Sequence, residues 1–143
     1  MKKVLGLLVL VIGVFALTGC GGSKSGFTCT AKMEDSGESA KVEFNATLDD
    51  NDKIKTLDVT FDFEKEETAT QMYTMYNWYN SMVEDESQKI NVSQKGSKIT
   101  IKNYEKITSA DDEDEMGNVV GMSKDDFKKF LEQTESATDV SCK

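Results

Sequence analysis

Three successive segments in the first half of the chain alternate apolar and polar residues with a period of two. In the clearest of them, residues 40–48, every second side chain is apolar and the ones between are charged or polar. A strand with this pattern places one face on a core and the other in water. We therefore predict strands at 27–33, 40–48 and 57–63, joined by turns at 35–38 and 49–52.

The third segment contains a break in phase. Ile54 is out of step with Leu57 and with the alternation that follows it. One extra residue in a strand moves the side chains beyond it to the opposite face of the sheet. We expect either a β-bulge near Lys55 and Thr56 or a strand that starts after them.

The hydrophobic period changes to 3.6 in residues 67–84, which predicts a helix. Thr68 and Gln71 fit a capping box at its start. The stripe that would dock this helix consists of Ala69, Met72, Tyr73, Tyr76, Tyr79 and Val83.

Three large apolar side chains of this predicted helix lie away from the stripe. Trp78 is about 150° from the centre of the stripe at roughly 100° per residue, and Met75 and Met82 flank it. Trp and Met are enriched at protein interfaces. Met75, Trp78 and Met82 therefore form either an interaction surface or a patch that a loop or the second helix covers.

The second half of the chain predicts a hairpin, a second helix and a last strand. Residues 88–94 and 98–102 alternate around a turn at Lys95 and Gly96. Ser123 with Asp126 marks a helix start, and the helix should end near Gln133. Residues 138–142 favour a short edge strand. Phe127, Phe130 and Leu131 share the apolar face of the second helix.

The element order β-β-β-α-β-β-α-β predicts an α+β fold. Hairpin-length links favour an antiparallel sheet, here of about five strands, with two helices packed on one face. The length of residues 27–143 suits a single domain.

The first twenty residues have the layout of a lipoprotein signal peptide. Lys2 and Lys3 precede fourteen uncharged residues, 4–17, which at ~1.5 Å per residue are too short for a ~30 Å bilayer core. Leu17-Thr18-Gly19-Cys20 resembles the bacterial lipobox. We expect residues 1–19 to be removed, Cys20 to carry a diacylglyceryl group, and residues 20–26 to form a Gly/Ser tether. The domain would then be anchored to the cell membrane through lipid, facing outside the cytoplasm.

The chain resembles the small YehR-like lipoproteins. The resemblance rests on residues 17–20, on the element order, and on the helix start at residues 121–127, which read Gly-Met-Ser-Lys-Asp-Asp-Phe. It implies a leader with a lipobox, followed by an antiparallel sheet and two helices. It implies no established activity.

Two cysteines remain once Cys20 is assigned to lipid. Cys29 lies in the first predicted strand and Cys142 in the last. In an oxidising compartment they are expected to form a disulfide, and the alternative is two reduced thiols, one of them reactive.

The composition excludes several kinds of site. The sequence has no His, Arg or Pro, so it lacks the usual general base and the bidentate clamp for phosphates. The formal net charge is −9, and loss of Lys2 and Lys3 makes it −11 in the mature chain. Such a surface repels nucleic acid, and we expect no nucleic-acid partner, no cofactor and no metal.

Two acidic runs, 49–52 and 111–115, offer oxygen ligands of the kind that Ca²⁺ takes. Neither has EF-hand spacing, so solvated loops are the simpler interpretation.

We therefore expect a non-enzymatic module that binds a ligand or a protein at the membrane surface. The alternatives are a structural or calcium-dependent envelope component and, with less support, a cell-wall hydrolase that uses a pair of carboxylates.

Overall fold

The computed structural model describes residues 26–108 and 119–143. Within them the fold is α+β, with one open antiparallel sheet of six strands and three α-helices. The strands are β1 Gly26–Asp35, β2 Glu38–Leu48, β3 Ile54–Phe63, β4 Asn91–Lys95, β5 Lys98–Lys102 and β6 Ala137–Cys142. The helices are α1 Glu66–Met82, α2 Glu105–Thr108 and α3 Lys124–Gln133, and a 3-10 helix spans Glu86–Gln88. The predicted fold class is confirmed, although the sequence pattern did not predict α2 or the 3-10 helix.

The strand order is β4-β5-β3-β2-β1-β6, and every neighbouring pair is antiparallel. β1, β2 and β3 follow one another as a meander because two short turns join them. The Ser36-Gly37 turn has positive φ at both residues, 50° and 82°, as a two-residue hairpin of this twist requires. The last strand is an edge strand, as predicted, and it lies beside β1.

The break in phase before Leu57 is a bulge in β3. Thr47 faces Thr56 and Leu48 faces Ile54, so Lys55 is the extra residue. The bulge turns Ile54 back towards the core, where it is buried. The first of the two sequence alternatives is therefore confirmed.

The core lies on one face of the sheet, and both long helices cover it. Val59 is paired with Phe44 on one side and with Ile101 on the other, so all three point to the same face. α3 packs Phe127 and Leu131 over β1, β2 and β3. α1 covers Ile99 and Ile101 with the predicted stripe except Val83, which is the C-cap of the helix.

One predicted cap and one predicted boundary are wrong. The helix begins at Glu66, one residue from the predicted start, but the capping box of Thr68 and Gln71 does not form, because the N-cap is Lys65 and makes no side-chain cap hydrogen bond. The strand predicted from 88 begins at Asn91, because the 3-10 helix occupies Glu86–Gln88. Asn80 of α1 fixes this junction through two hydrogen bonds with Ile90, at 2.8 and 3.0 Å.

None of the helices in the described part of the chain has the length and the hydropathy needed to cross a bilayer. The predicted signal peptide, Cys20 and the acidic run at 111–115 lie outside the described residues.

Candidate functional site

The outer face of α1, defined here as Met75, Trp78 and Met82, is exposed. These side chains are 51, 62 and 59% accessible. Their spacing of i, i+3 and i+7 places them within one side of the helix. The covering loop or helix considered as an alternative is therefore not found among the described residues.

Both ends of α1 are acidic. Glu66 and Glu67 occupy the first turn of α1, and the last turn has no basic residue. Glu84, Asp85 and Glu86 follow the helix and are exposed. An apolar surface on a helix with acidic ends is chemically suited to a partner with an apolar pocket and basic edges.

The inner face of α1 packs tyrosines whose hydroxyl groups need partners. Tyr76 lies against Tyr104, which follows β5. Burial, and then the neighbouring Tyr104 hydroxyl, raises the pKa of Tyr76 far above its usual range. Tyr76 therefore stays neutral at physiological pH and serves the packing of α1.

Cys29 and Cys142 face each other across β1 and β6 and are joined by a disulfide. Cys29 is fully buried in the core beneath α3. The backbone of Lys143 then pairs with Thr28 through hydrogen bonds of 2.9 and 3.1 Å. The disulfide thus closes the last strand onto the first, next to the point where the chain enters the domain.

The predicted tether leads directly into the sheet. Gly26, assigned to the tether from the sequence, is the first residue of β1. A Cβ at this position would lie 2.6 Å from the carbonyl oxygen of Ala46, so the close approach of β1 and β2 requires glycine here.

The acidic run at 49–52 forms the β2–β3 turn. The Asp49 Oδ1 atom accepts hydrogen bonds from the backbone N–H groups of Asn51 and Lys53, at 2.8 and 3.1 Å. This carboxylate is therefore used to close the turn. Across the described ranges, no three His, Cys, Asp or Glu side chains come together as a metal site needs.

Among the described residues, no helix covers the second face of the sheet, which carries a row of lysines. Lys32, Lys41, Asp62, Lys98 and Lys95 are successive partners across β1, β2, β3, β5 and β4. We call this set the lysine row. The neighbouring row consists of Thr30, Glu43, Thr60, Thr100 and Ser93.

A trough of about 440 Å³ lies over the two rows. Three lysines line it, Lys32, Lys41 and Lys98, together with three acids, Glu43, Asp62 and Asp139. Asp139 reaches this position through an irregularity in β6, where its φ is 53° and the register with β1 shifts. The trough therefore carries charged groups of both signs.

Comparison with protein-family models, with curated proteins and with solved structures found no match to this chain.

Sequence reasoning identified the outer face of α1 but missed the trough. The alternation predicts which residues of each strand point outward. It does not predict which strands are neighbours, so the sequence gives no sign that Lys32, Lys41 and Lys98 share one row.

Proposed function

We propose that this chain is a lipoprotein held at the outer side of the cell membrane by lipid on Cys20, and that it binds a protein through the outer face of α1 without catalysing a reaction. Its arrangement would then be that of the small YehR-like lipoproteins, which the lipobox and the order of elements resemble.

The anchor is supported by the leader and by where the domain starts. Cys20 lies six positions before Gly26, the first residue of β1. A Gly/Ser segment of that length has a root-mean-square reach of roughly 13 Å. The domain would remain within about that distance of the bilayer surface, where a partner in the same membrane is available at high effective concentration.

The single observation that carries the binding function is the exposure of three large apolar side chains on one side of a helix. Full burial of such a side chain contributes about 1.5 to 3 kcal/mol, which this chain leaves unused. Spacing of i, i+3 and i+7 is how an amphipathic helix inserts anchors into a groove. Within the described residues, Met75, Trp78 and Met82 all remain more than half exposed.

The charge around these side chains favours a protein over the membrane as the occupant. The acidic groups at both ends of α1 would be repelled by anionic lipid headgroups. A protein groove with apolar walls and Lys or Arg at its rim satisfies both the anchors and the charges.

The anchor is tested by replacing Cys20. In cells, Cys20→Ser should leave an unprocessed chain or release the domain from membranes. A Cys20→Ser chain that is still processed and still sediments with membranes contradicts lipid anchoring.

The binding surface is tested with a photo-crosslinking phenylalanine analogue at position 78 in the full chain. We expect a covalent adduct with one envelope protein, whose crosslinked segment contains Lys or Arg. The adduct should disappear when Met75 and Met82 are both changed to Glu. The analogue at Asn77, exposed on the same helix but about 100° away, is the control.

Tryptophan fluorescence distinguishes binding to a protein partner from binding to lipid. Trp78 is the only tryptophan, so its emission reports this surface alone. In anionic vesicles without a partner we expect the emission and its quenching by acrylamide to remain those of an exposed indole. A blue shift and protection in vesicles alone would assign the surface to the membrane and contradict the proposal.

A further inference from the structure

The lysine row brings like charges together on an exposed sheet face. Lys32 and Lys41 are direct cross-strand partners on β1 and β2. Like charges directly opposite each other destabilise a sheet. The arrangement places two ammonium groups side by side in a chain whose formal net charge is −9.

The acids near the row neutralise it only in part. Lys32 is paired with Glu34 at 2.6 Å, and Lys98 lies 3.7 Å from Asp62. Asp62 also accepts a hydrogen bond from Ser97 at 3.2 Å. Lys41, between these two pairs, has no ion pair among the residues that the structure describes. Its ammonium group is therefore available to an anion.

The row beside the lysines supplies hydrogen-bonding groups of another kind. Glu43 and Thr60 are cross-strand partners that line the trough next to Lys41. Carboxylate and hydroxyl oxygens accept hydrogen bonds from the hydroxyl groups of a ligand. The three carboxylates of the lining also repel a polyanion, so a single anionic group is the most that this site suits.

We propose that the trough binds a small molecule, or a lipid headgroup, that carries one phosphate group and adjacent hydroxyl groups. The phosphate lies between Lys32 and Lys41, and the hydroxyl groups lie towards Glu43 and Thr60. This site is on the opposite face of the sheet from α1, so it is separate from the protein-binding surface proposed above.

The test uses the ¹⁵N-labelled full chain in non-ionic detergent micelles, with glycerol 3-phosphate as the probe. We expect saturable shifts of the Thr30 and Thr60 amide signals. Lys41→Gln should weaken binding about tenfold or more, since it removes a charge-assisted hydrogen bond. Lys102→Gln is the matched control, because Lys102 is exposed on the same sheet face but does not line the trough. It should change binding by less than about twofold.

Two further arms define the ligand. Inorganic phosphate should bind more weakly than glycerol 3-phosphate, because it lacks the hydroxyl groups. If the natural ligand is a lipid headgroup, micelles doped with phosphatidylglycerol should shift the same amide signals. If only glycerol 3-phosphate shifts them, the ligand is a free small molecule. Absence of saturable shifts in all arms, equal binding by Lys41→Gln and the unmodified chain, or shifts spread over all lysines would overturn the proposal.

Discussion

The two long helices cover the same face of the sheet, but they are held there in different ways. α3 has ten residues and buries Phe127 and Leu131 completely. α1 has seventeen residues and buries only Ala69, with its tyrosines half-buried at the edge of the core. Ser123 caps α3 locally. The start of α1 is instead held by Glu38 of β2, which accepts hydrogen bonds from Lys65 and Thr68.

This difference separates the part of the domain that maintains the fold from the part that is available to a partner. The α3 half contains the disulfide, the aromatic contacts of Phe127 and the larger core cluster. The α1 half contains a smaller cluster and an exposed apolar surface. A region with fewer buried contacts opens at a lower free energy, so we expect α1 to be the more easily released helix.

Loss of the disulfide should have the largest effect. The bond links residues separated by 113 positions and fixes the edge strand beside α3. In the chain-entropy model, closure of such a loop contributes roughly 4 to 5 kcal/mol. Replacing Cys29 and Cys142 together with Ala should lower the free energy of unfolding towards that amount in denaturant melts. An unchanged midpoint, or two free thiols in a non-reduced peptide map of exported protein, would contradict this.

Truncation of Phe127 should come next. Its ring is fully buried against Phe44, with the ring centroids 5.4 Å apart in an edge-to-face contact. Removing a buried aromatic side chain costs roughly 3 to 5 kcal/mol. Phe130→Ala is the control on the same helix, because Phe130 is only half-buried, and it should cost clearly less. Equal losses for the two variants would mean that the α3 half is not organised around Phe127.

The helix starts provide a sharper test at smaller energies. Ser123 accepts a hydrogen bond from the Asp126 backbone at 3.2 Å and donates one to its carboxylate at 2.7 Å. Ser123→Ala should cost about 1 kcal/mol in a thermal or denaturant melt. Gln71→Ala in α1 should cost almost nothing, because its predicted capping box is absent. A comparable loss of stability for Gln71→Ala would indicate that the capping box does form.

Truncation of Trp78 should have a smaller effect on folding. The side chain is 62% exposed and lies away from the docked stripe. Trp78→Ala should therefore change the free energy of unfolding by less than about 1 kcal/mol. A loss of 3 kcal/mol or more, as for a core aromatic, would place Trp78 inside the fold and remove the contact surface.

Much of the fold was predictable because its signals are local. The alternation of β2, the break at Ile54 and the cap at Ser123 each depend on residues within a few positions of one another. The outer face of α1 was predictable for the same reason, since Met75, Trp78 and Met82 are fixed by helical period alone.

The parts that sequence reasoning missed depend on contacts between distant segments. The trough requires that β1, β2, β3 and β5 lie side by side in one register. The start of α1 requires Glu38, 27 positions before Lys65. A capping box at Thr68 was a reasonable local prediction, but the Thr68 hydroxyl donates instead to the Glu38 carboxylate at 2.9 Å. Pairing between distant residues overrode the local pattern.

Substitution of Glu38 should have the smallest effect on stability, and the pH dependence of that effect distinguishes it from the others. Lys65 donates to the Glu38 carboxylate at 2.7 Å, and hydrogen bonds from Lys65 and Thr68 hold the pKa of Glu38 below its ordinary 4.5. The same contact raises the pKa of Lys65 above 10.5. A carboxylate with a lowered pKa stabilises the fold above its unfolded pKa and loses that contribution as the pH falls through its folded pKa.

The stability difference between the unmodified chain and Glu38→Gln should therefore be constant near neutral pH. It should shrink below about pH 4.5 as the carboxylate is protonated, and again above about pH 10.5 as Lys65 loses its proton. Added salt should reduce it, because both groups are exposed. Glu43→Gln, on the same strand, is the matched control. If melts from pH 3 to 7 give the same difference at every pH, Glu38 does not hold the start of α1, and the contrast between the two helix starts fails.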